Sequence, residues 1–362
     1  MTPKGGQTST LAGRRRQQVT IRHVAADAGV SLQTVSRVIN NAPNVRPEVK
    51  QRVQSSIDKL GYVPSIAAQR LSGSRSYLIL ALNDRDRTIA DWRERQGADW
   101  VDQMLLGGML KVAEYGYRLM FELVDTHDDH VERELRATLA ALQPDGVILT
   151  PPHSENVQIT SLLQEVGIAF ARIGSVQPGA GVALSMDEEE AAAMATRHLA
   201  DLGHKRIGFI SGAPEYSLSN RRVSGWQGEM KRRGLAVKGM LAKGDFSFES
   251  GVSATKALLD LKEPVTAIIA SNDRMALGAL AVAHERGLEI PSNLSLLSFD
   301  NTPVVRFTGP PLTAVDQPVA DLAALAVEMI IRVLRKQEIP HQPLIVEAGL
   351  VKRSSTAPPR AA

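Results

Sequence analysis

One stretch near the N-terminus constrains this chain more than any other. Residues 19–40 read Val-Thr-Ile-Arg-His-Val-Ala-Ala-Asp-Ala-Gly-Val-Ser-Leu-Gln-Thr-Val-Ser-Arg-Val-Ile-Asn. Thr20 precedes an apolar-periodic run, where its hydroxyl suits an N-cap. Ile21, Val24, Ala25 and Ala28 recur at helical spacing and give one buried stripe. Gly29 suits the positive φ at a helix end. Ser31 suits the cap of a second helix, with Val35, Val38 and Ile39 turned inward. Leu32, Gln33, Ser36 and Arg37 then project elsewhere. Small Ala25 lets the two helices cross closely, as a helix-turn-helix requires.

A third helix is expected from Arg46-Pro47-Glu48 onward, since proline suits the first helical position and Glu48 the positive end of the helix dipole. Val49, Val53, Ile57 and Leu60 make its apolar face, and Gly61 stops it. Residues 64–76 then hold one or two turns capped by Ser65, followed by a Gly73-Ser74 join. A helix that short does not stand alone in water. The expected layout is a disordered basic arm over 1–18, a helix-turn-helix domain over 19–63, and a hinge helix with linker over 64–76. Charge follows this division. Residues 1–76 hold 12 Lys and Arg against 3 Asp and Glu, a charge of +9; the whole chain carries +3, which leaves −6 for the rest. A basic head on an acidic body suggests that the head meets a polyanion.

The pattern Val-Thr-Ile-x-x-Val-Ala-x-x-Ala-Gly-Val-Ser-x-x-Thr-Val-Ser-Arg-Val-Ile-Asn, then Arg-Pro-Glu, Leu-Gly-Tyr-x-Pro and Ala-x-x-Leu, resembles the LacI/GalR family of transcription regulators. The resemblance implies DNA roles by position. Leu32, Gln33 and Arg37 match residues that reach base edges in the major groove. Gln reads adenine and Arg reads guanine by paired hydrogen bonds, and Leu meets a thymine methyl. Thr20, Ser31, Thr34, Ser36, Asn40, Asn44 and Arg46 match phosphate or backbone contacts that set register. Leu71 matches a leucine that wedges into the minor groove, with Ala68 as its small partner.

From Tyr77 the chain alternates strand-like and helix-like segments, and the cycle restarts after Met186. This predicts a doubly wound α/β unit occurring twice. The fold class expected is an all-α headpiece plus a two-lobed body like a type I periplasmic-binding protein. That body spans 77–352, with crossovers near 186–188 and 316–318 and a disordered tail over 353–362. Leu-Gly-His-Lys-Arg-Ile-Gly-Phe-Ile-Ser-Gly (202–212) and Ala-Ser-Asn-Asp-Arg-Met-Ala-Leu-Gly-Ala (270–279) carry this part of the resemblance, with Leu-Ser-Phe-Asp-Asn-Thr (297–302). Residues 85–100 depart from the family, as a charged, insertion-like loop.

Ligands in such folds sit at the C-terminal ends of strands. The resemblance places Arg222, Asn272 and Asp300 at effector-binding positions, Phe246 at one that stacks on the ligand, and Gln317 where the chain crosses between lobes. Asp84, Arg172 and Trp226 complete the candidate set. For Arg172 two readings stand side by side, an effector contact and a structural ion pair. Arg222→Ala is expected to abolish an effector response while sparing DNA binding.

Other classes find little support. The chain has no cysteine, so no disulfide framework or thiolate site. The N-terminus lacks the apolar core of a signal peptide, and no apolar run reaches membrane-spanning length, so a cytoplasmic, nucleoid-associated protein is expected. His127-Asp128-Asp129-His130 lacks a clear third metal ligand. There is no GxxxxGK[ST] loop and no nucleophile elbow. The expectation is a non-enzymatic regulator without cofactor or metal, a homodimer on double-stranded operator DNA that answers a small-molecule effector such as a sugar. The rivals are a nucleoside- or purine-responsive regulator and a periplasmic-type binding protein.

Overall fold

A computed structural model describes residues 19–39, 44–62, 75–94, 97, 99–125 and 130–360, which divide into two compact units between Ser76 and Tyr77. The basic arm, Asn40, the hinge with Ala68 and Leu71, and residues 127–129 lie outside the described residues.

The first unit holds α1 (Ile21–Ala28), α2 (Leu32–Ile39) and α3 (Pro47–Leu60). Val24, Ala25, Ala28, Val35, Val38 and Val53 form its core, and Tyr62 closes one side. Gly29 and Gly61 end α1 and α3 in the left-handed region, at φ 62° and 60°, where a side chain would be strained. Asp27 and Lys59 tie α1 to α3 at 2.7 Å.

In the second unit the chain runs β1 (Leu78–Asp84), α4 (Arg85–Arg93), α5 (Asp99–Glu114), β2 (Arg118–Val124), α6 (Val131–Leu142), β3 (Gly146–Leu149), α7 (Val157–Val166), β4 (Ala169–Ile173) and β5 (Val182–Met186). It continues with α8 (Glu188–Asp201), β6 (Ile207–Ser211), α9 (Ser217–Arg232), β7 (Leu241–Lys243), α10 (Phe248–Leu259), β8 (Ala267–Ala270), α11 (Asp273–Glu285), β9 (Ser295–Asp300) and β10 (Thr313–Asp316). It ends with α12 (Val319–Leu334), β11 (Leu344–Val346) and β12 (Gly349–Val351).

Two six-stranded sheets result, ordered β11-β5-β4-β3-β1-β2 and β12-β10-β9-β8-β6-β7. Their order is the same, strand for strand, and all pairs are parallel except β10 with β12. Continuous apolar runs such as Leu78-Ile79-Leu80-Ala81-Leu82 suit strands covered on both faces. Apolar clusters lie on both sides of the first sheet. The second lobe has one large core around Phe209, Trp226 and Phe299. Gly107 lets α5 approach α12 closely, since a Cβ there would stand 1.9 Å from the Ala320 carbonyl oxygen.

The chain passes from the first sheet to the second between β5 and β6, returns between β10 and β11, and crosses again between β11 and β12. Two expectations are corrected. Residues 85–93 are a helix rather than a loop, because Asp84 caps it by accepting from Arg87 N at 3.0 Å. The tail over 353–360 is not disordered. Ser355 is fully buried, with its hydroxyl donating to Leu296 O and accepting from Thr313 N at 2.7 Å. Leu296 N donates to Ser355 O at 2.9 Å. The tail is thus held because it satisfies backbone groups of β9 and β10.

Candidate functional site

On the first unit, α2 presents Ser31, Leu32, Gln33 and Arg37 to solvent, while Thr34 and Ser36 are half-buried. Ser31 caps the helix, with its hydroxyl accepting from Thr34 N at 3.1 Å. Leu32 is 45% exposed, unusual for a leucine in so small a domain. Thr20 begins α1, and its N–H donates to His23 Nδ1 at 2.9 Å. Thr20, Asn44 and Arg46 are exposed too. The outward residues therefore include one apolar, one amide and one guanidinium side chain within six positions of one helix.

In the second unit, the C-terminal ends of strands from both lobes converge on a cavity of about 250 Å³. β1 supplies Asn83 and Asp84; the turn after β8 supplies Asn272; the end of β9 supplies Asp300. Each sheet changes winding direction there, at the usual place for a ligand in a doubly wound fold. The loop before α10 brings Phe246, with φ at 72°. Asn272 holds it there, donating from Nδ2 to Phe246 O at 2.9 Å while Oδ1 caps α11 through Met275 N. Gly212 leaves the space, since a Cβ would meet the Phe246 ring at 2.0 Å.

Of the eight residues expected at an effector site, Asp84, Arg222, Phe246, Asn272, Asp300 and Gln317 line this cavity. Two do not. Trp226 is wholly buried, stacked on Phe209 at 5.5 Å with its Nε1 donating to Ile207 O. It is a core residue of the second lobe. Arg172 is buried behind β4, donating to Ser175 Oγ at 3.1 Å and Gln177 O at 2.8 Å. Its Nε is buried with no hydrogen-bond partner, and among the described residues no carboxylate lies within ion-pair distance.

The six differ in what they leave free. Arg222 is 1% exposed and bonds Glu188, 2% exposed, at 2.6 Å. It also donates to Ser271 O and lies 4.4 Å from the Phe299 ring centre. Asp84 accepts from Arg87 N and from Tyr216 OH. The side chains of Asp300 and Gln317 hydrogen-bond to no described residue. Asp300 sits in the left-handed region at φ 94°, a strain of the kind found at ligand sites. Burial raises the pKa of Asp300, against the pull of Arg222. Asp273 beside it is raised by burial and by the Asp300 charge.

Sequence reasoning missed one whole wall. α4 and the start of α5 bring Arg87, Asp91, Asp99 and Trp100 to the cavity. They also strap the lobes together. Arg274 of the second lobe pairs with Asp91 and donates to Gly97 O at 2.7 Å. Arg87 lies over the rings of Phe246 and Tyr216, at 5.0 and 5.6 Å. The charge density of residues 85–100 was the available signal.

Comparison with known proteins fits both surfaces. Residues 20–65 match the model for bacterial regulatory proteins of the lacI family, and 196–356 that for a periplasmic binding protein-like domain. Catabolite control protein A of Priestia megaterium is 30% identical over 338 residues, 90% of this chain and 97% of that one. The chain belongs to the LacI family. A Lac repressor dimer bound to operator and the anti-inducer ONPF matches this LacI-family fold with a TM-score of 0.76 and 25% identity, over 94% of this chain and all of that one. A CelR–cellobiose complex matches at 0.69 and 26%, over 93% and 100%. This LacI-family chain is thus a DNA-binding transcription regulator with an effector-binding type of body. Among the described residues no helix is long and apolar enough to cross a membrane, and no group of three metal-ligating side chains occurs.

Proposed function

We propose that the chain is a repressor that binds a pseudo-palindromic operator as a homodimer and is switched by a small polyhydroxylated effector in the inter-lobe cleft. It works by binding, without catalysis, on the nucleoid in the cytoplasm. Leu32, Gln33 and Arg37 read bases. Thr20, Ser31, Thr34, Ser36, Asn44 and Arg46, with Asn40, set register on phosphates, and Leu71 with Ala68 wedges the minor groove. Two half-sites follow from the small surface that one head can bury. The related Lac repressor dimer on operator and the CelR–cellobiose complex support this reading. So does an exposed apolar row on α5, where Leu106, Met109 and Leu110 are 50%, 57% and 63% exposed, a surface that a second copy would cover.

One observation carries the effector half. Asp300 and Gln317 line a cavity built from both lobes, and their side chains hydrogen-bond to no described residue. Such groups pair with ligand hydroxyls, while Asn272 and Arg222 position them. A ligand that bridges the lobes favours one lobe angle and so biases the DNA-binding state. The test selects an operator from random duplexes, then follows its release or capture by anisotropy against neutral sugars, amino sugars and nucleosides. Gln317→Ala is expected to bind operator normally and respond weakly to the active compound. A full response in that variant, or no response to any compound by the parent chain, overturns the cleft assignment.

A further inference from the structure

The charges around the cleft are unevenly engaged. Its three arginines all have partners within the chain. Arg222 bonds Glu188, and Arg274 bonds Asp91. Arg87 lies against Phe246 and Tyr216 and donates to Asp245 O at 3.4 Å. Several carboxyl groups are in the opposite condition. Asp300 lines the cavity and hydrogen-bonds to no described side chain. Asp273, 2% exposed, uses one oxygen to accept from Thr302 N at 2.6 Å, and its other oxygen is buried with no hydrogen bond. From the opposite lobe Asp99 lines the same cavity, and among the described residues no side chain hydrogen-bonds or pairs with it. All three carboxyls are held above the ordinary range. Burial is the leading cause for each, and an acidic neighbour adds to it for Asp99 (Asp102) and Asp273 (Asp300).

A buried carboxylate needs a counter-charge or a full set of donors. Arg222, Arg87 and Arg274 act on Asp300, and Arg274 on Asp99, yet both carboxyls stay raised and neither hydrogen-bonds to a described side chain, so a ligand can complete the compensation. A neutral sugar brings hydroxyl donors but leaves the charge uncompensated. A carboxylated or phosphorylated ligand adds repulsion. An ammonium brings three donors and the compensating charge together. Size adds a second limit, because 250 Å³ lies below the roughly 300–1,000 Å³ of drug-sized sites and suits a single ring. We infer that the effector is a single-ring, hydroxylated amine of the amino-sugar class, its ammonium taken by Asp300 and Asp273 of one lobe with Asp99 across the cleft. This rests on the cleft being the effector site.

The test uses the full chain and calorimetric titration at neutral pH. The probes are glucosamine, galactosamine and mannosamine, each beside its parent hexose, its N-acetyl derivative and the matching uronate. At least one amine is expected to bind about ten-fold or more tighter than its parent hexose, the worth of one charge-assisted hydrogen bond. Asp300→Asn is expected to remove most of that preference while the chain stays folded by circular dichroism. Asp99→Asn, on the other lobe, gives the same reading if Asp300→Asn fails to fold. A hexose, N-acetyl sugar or uronate that binds as tightly as its amine overturns the charge inference and leaves the effector reading in place. So does an amine preference that survives both substitutions. Operator binding and melting that respond to none of these probes, nor to nucleosides, overturn the effector reading itself.

Discussion

Glu188→Gln isolates the most deeply buried charge contact of the body. The Arg222–Glu188 pair is 1% and 2% exposed with a 2.6 Å bond, so water cannot replace a lost partner. The substitution keeps the shape and removes the charge. Breaking a buried pair from one side costs about 3–5 kcal/mol, because the remaining ion stays uncompensated. Arg222 retains the Ser271 carbonyl, the Phe299 ring and the nearby Asp300, which places the cost near the lower end, about 3 kcal/mol. For a body of this size each kcal/mol moves the melting temperature by about 2–3 °C, so the loss is roughly 6–9 °C. Differential scanning calorimetry of the full chain at pH 7 reads it. The double variant Glu188→Met with Arg222→Met removes both charges and should recover to within about 1 kcal/mol of the parent. A single variant that melts within a degree of the parent refutes the reasoning, as does a double variant no better than the single. The same logic revises the expectation for Arg222→Ala. It strands Glu188, so lost effector response would arrive with lost folding, and Gln317 is the cleaner probe.

Gln33→Ala should cost about 1–3 kcal/mol at its base pair with the salt slope unchanged, whereas Arg46→Ala should reduce that slope by about 1 and spare sequence preference; operator titrations at several salt concentrations separate them. Leu110→Glu, at the most exposed position of the α5 row, should yield a monomer by light scattering with weakened operator binding; an intact dimer contradicts the α5 interface. Asp91→Asn should loosen the strap to Arg274 and broaden the inter-lobe distance distribution. The chain has no cysteine, so one engineered pair per protomer, one on each lobe, suffices for spin-label measurement in mixed dimers with unlabelled protein, and an unchanged distribution excludes the strap. The raised pKa values of Asp273 and Asp300 stabilise the fold fully below the ordinary carboxylate pKa of about 4, and that contribution fades as pH rises through the raised values. Asp273→Asn should therefore flatten the fall in stability from acid toward neutral pH. Buried His153 and His204 and half-buried His198, whose pKa values are lowered chiefly by desolvation, act with the opposite sign and cancel in that comparison.

Legibility differed by the kind of signal. The head was readable because period and punctuation agree: Val24, Ala25, Val35 and Val38 fall where helical spacing puts them, and Gly29 and Gly61 stop their helices. The doubled α/β pattern was readable for a like reason, since apolar strands and capped helices alternate. α12 was harder. It follows a strand of the second lobe yet packs Val319, Leu322, Ala326 and Ile330 into the core of the first, and no local pattern encodes which sheet a helix covers. The tail misled because Pro358 and Pro359 imply disorder locally, while Ser355 is fixed by Thr313 and Leu296 far away in sequence.

The cleft shows the limit most clearly, and also what geometry adds. The resemblance placed Arg222, Asn272 and Asp300 at effector positions, with Asp84 as a further candidate, and all four line the cavity. Residue type could not tell which remain free for a ligand. Asn272 is used up as a helix cap and as the clamp on Phe246, and Arg222 by its buried carboxylate. Trp226 lies four residues beyond Arg222 on α9, so it shares that buried face but sits one turn farther along, stacked on Phe209 away from the cavity. Within the charged run 85–100, read as a departure from the family, α4 and the start of α5 line the cavity with Arg87, Asp91, Asp99 and Trp100. Ligand choice then depends on two layers with different origins. The strand ends belong to the shared fold and, in the proposed reading, meet the ligand from one side. The inserted helix α4 engages Arg274 of the second lobe, and the start of α5 brings Asp99 to the same cavity as Asp300, so in the proposed reading this segment sets the charge that the cleft can accept.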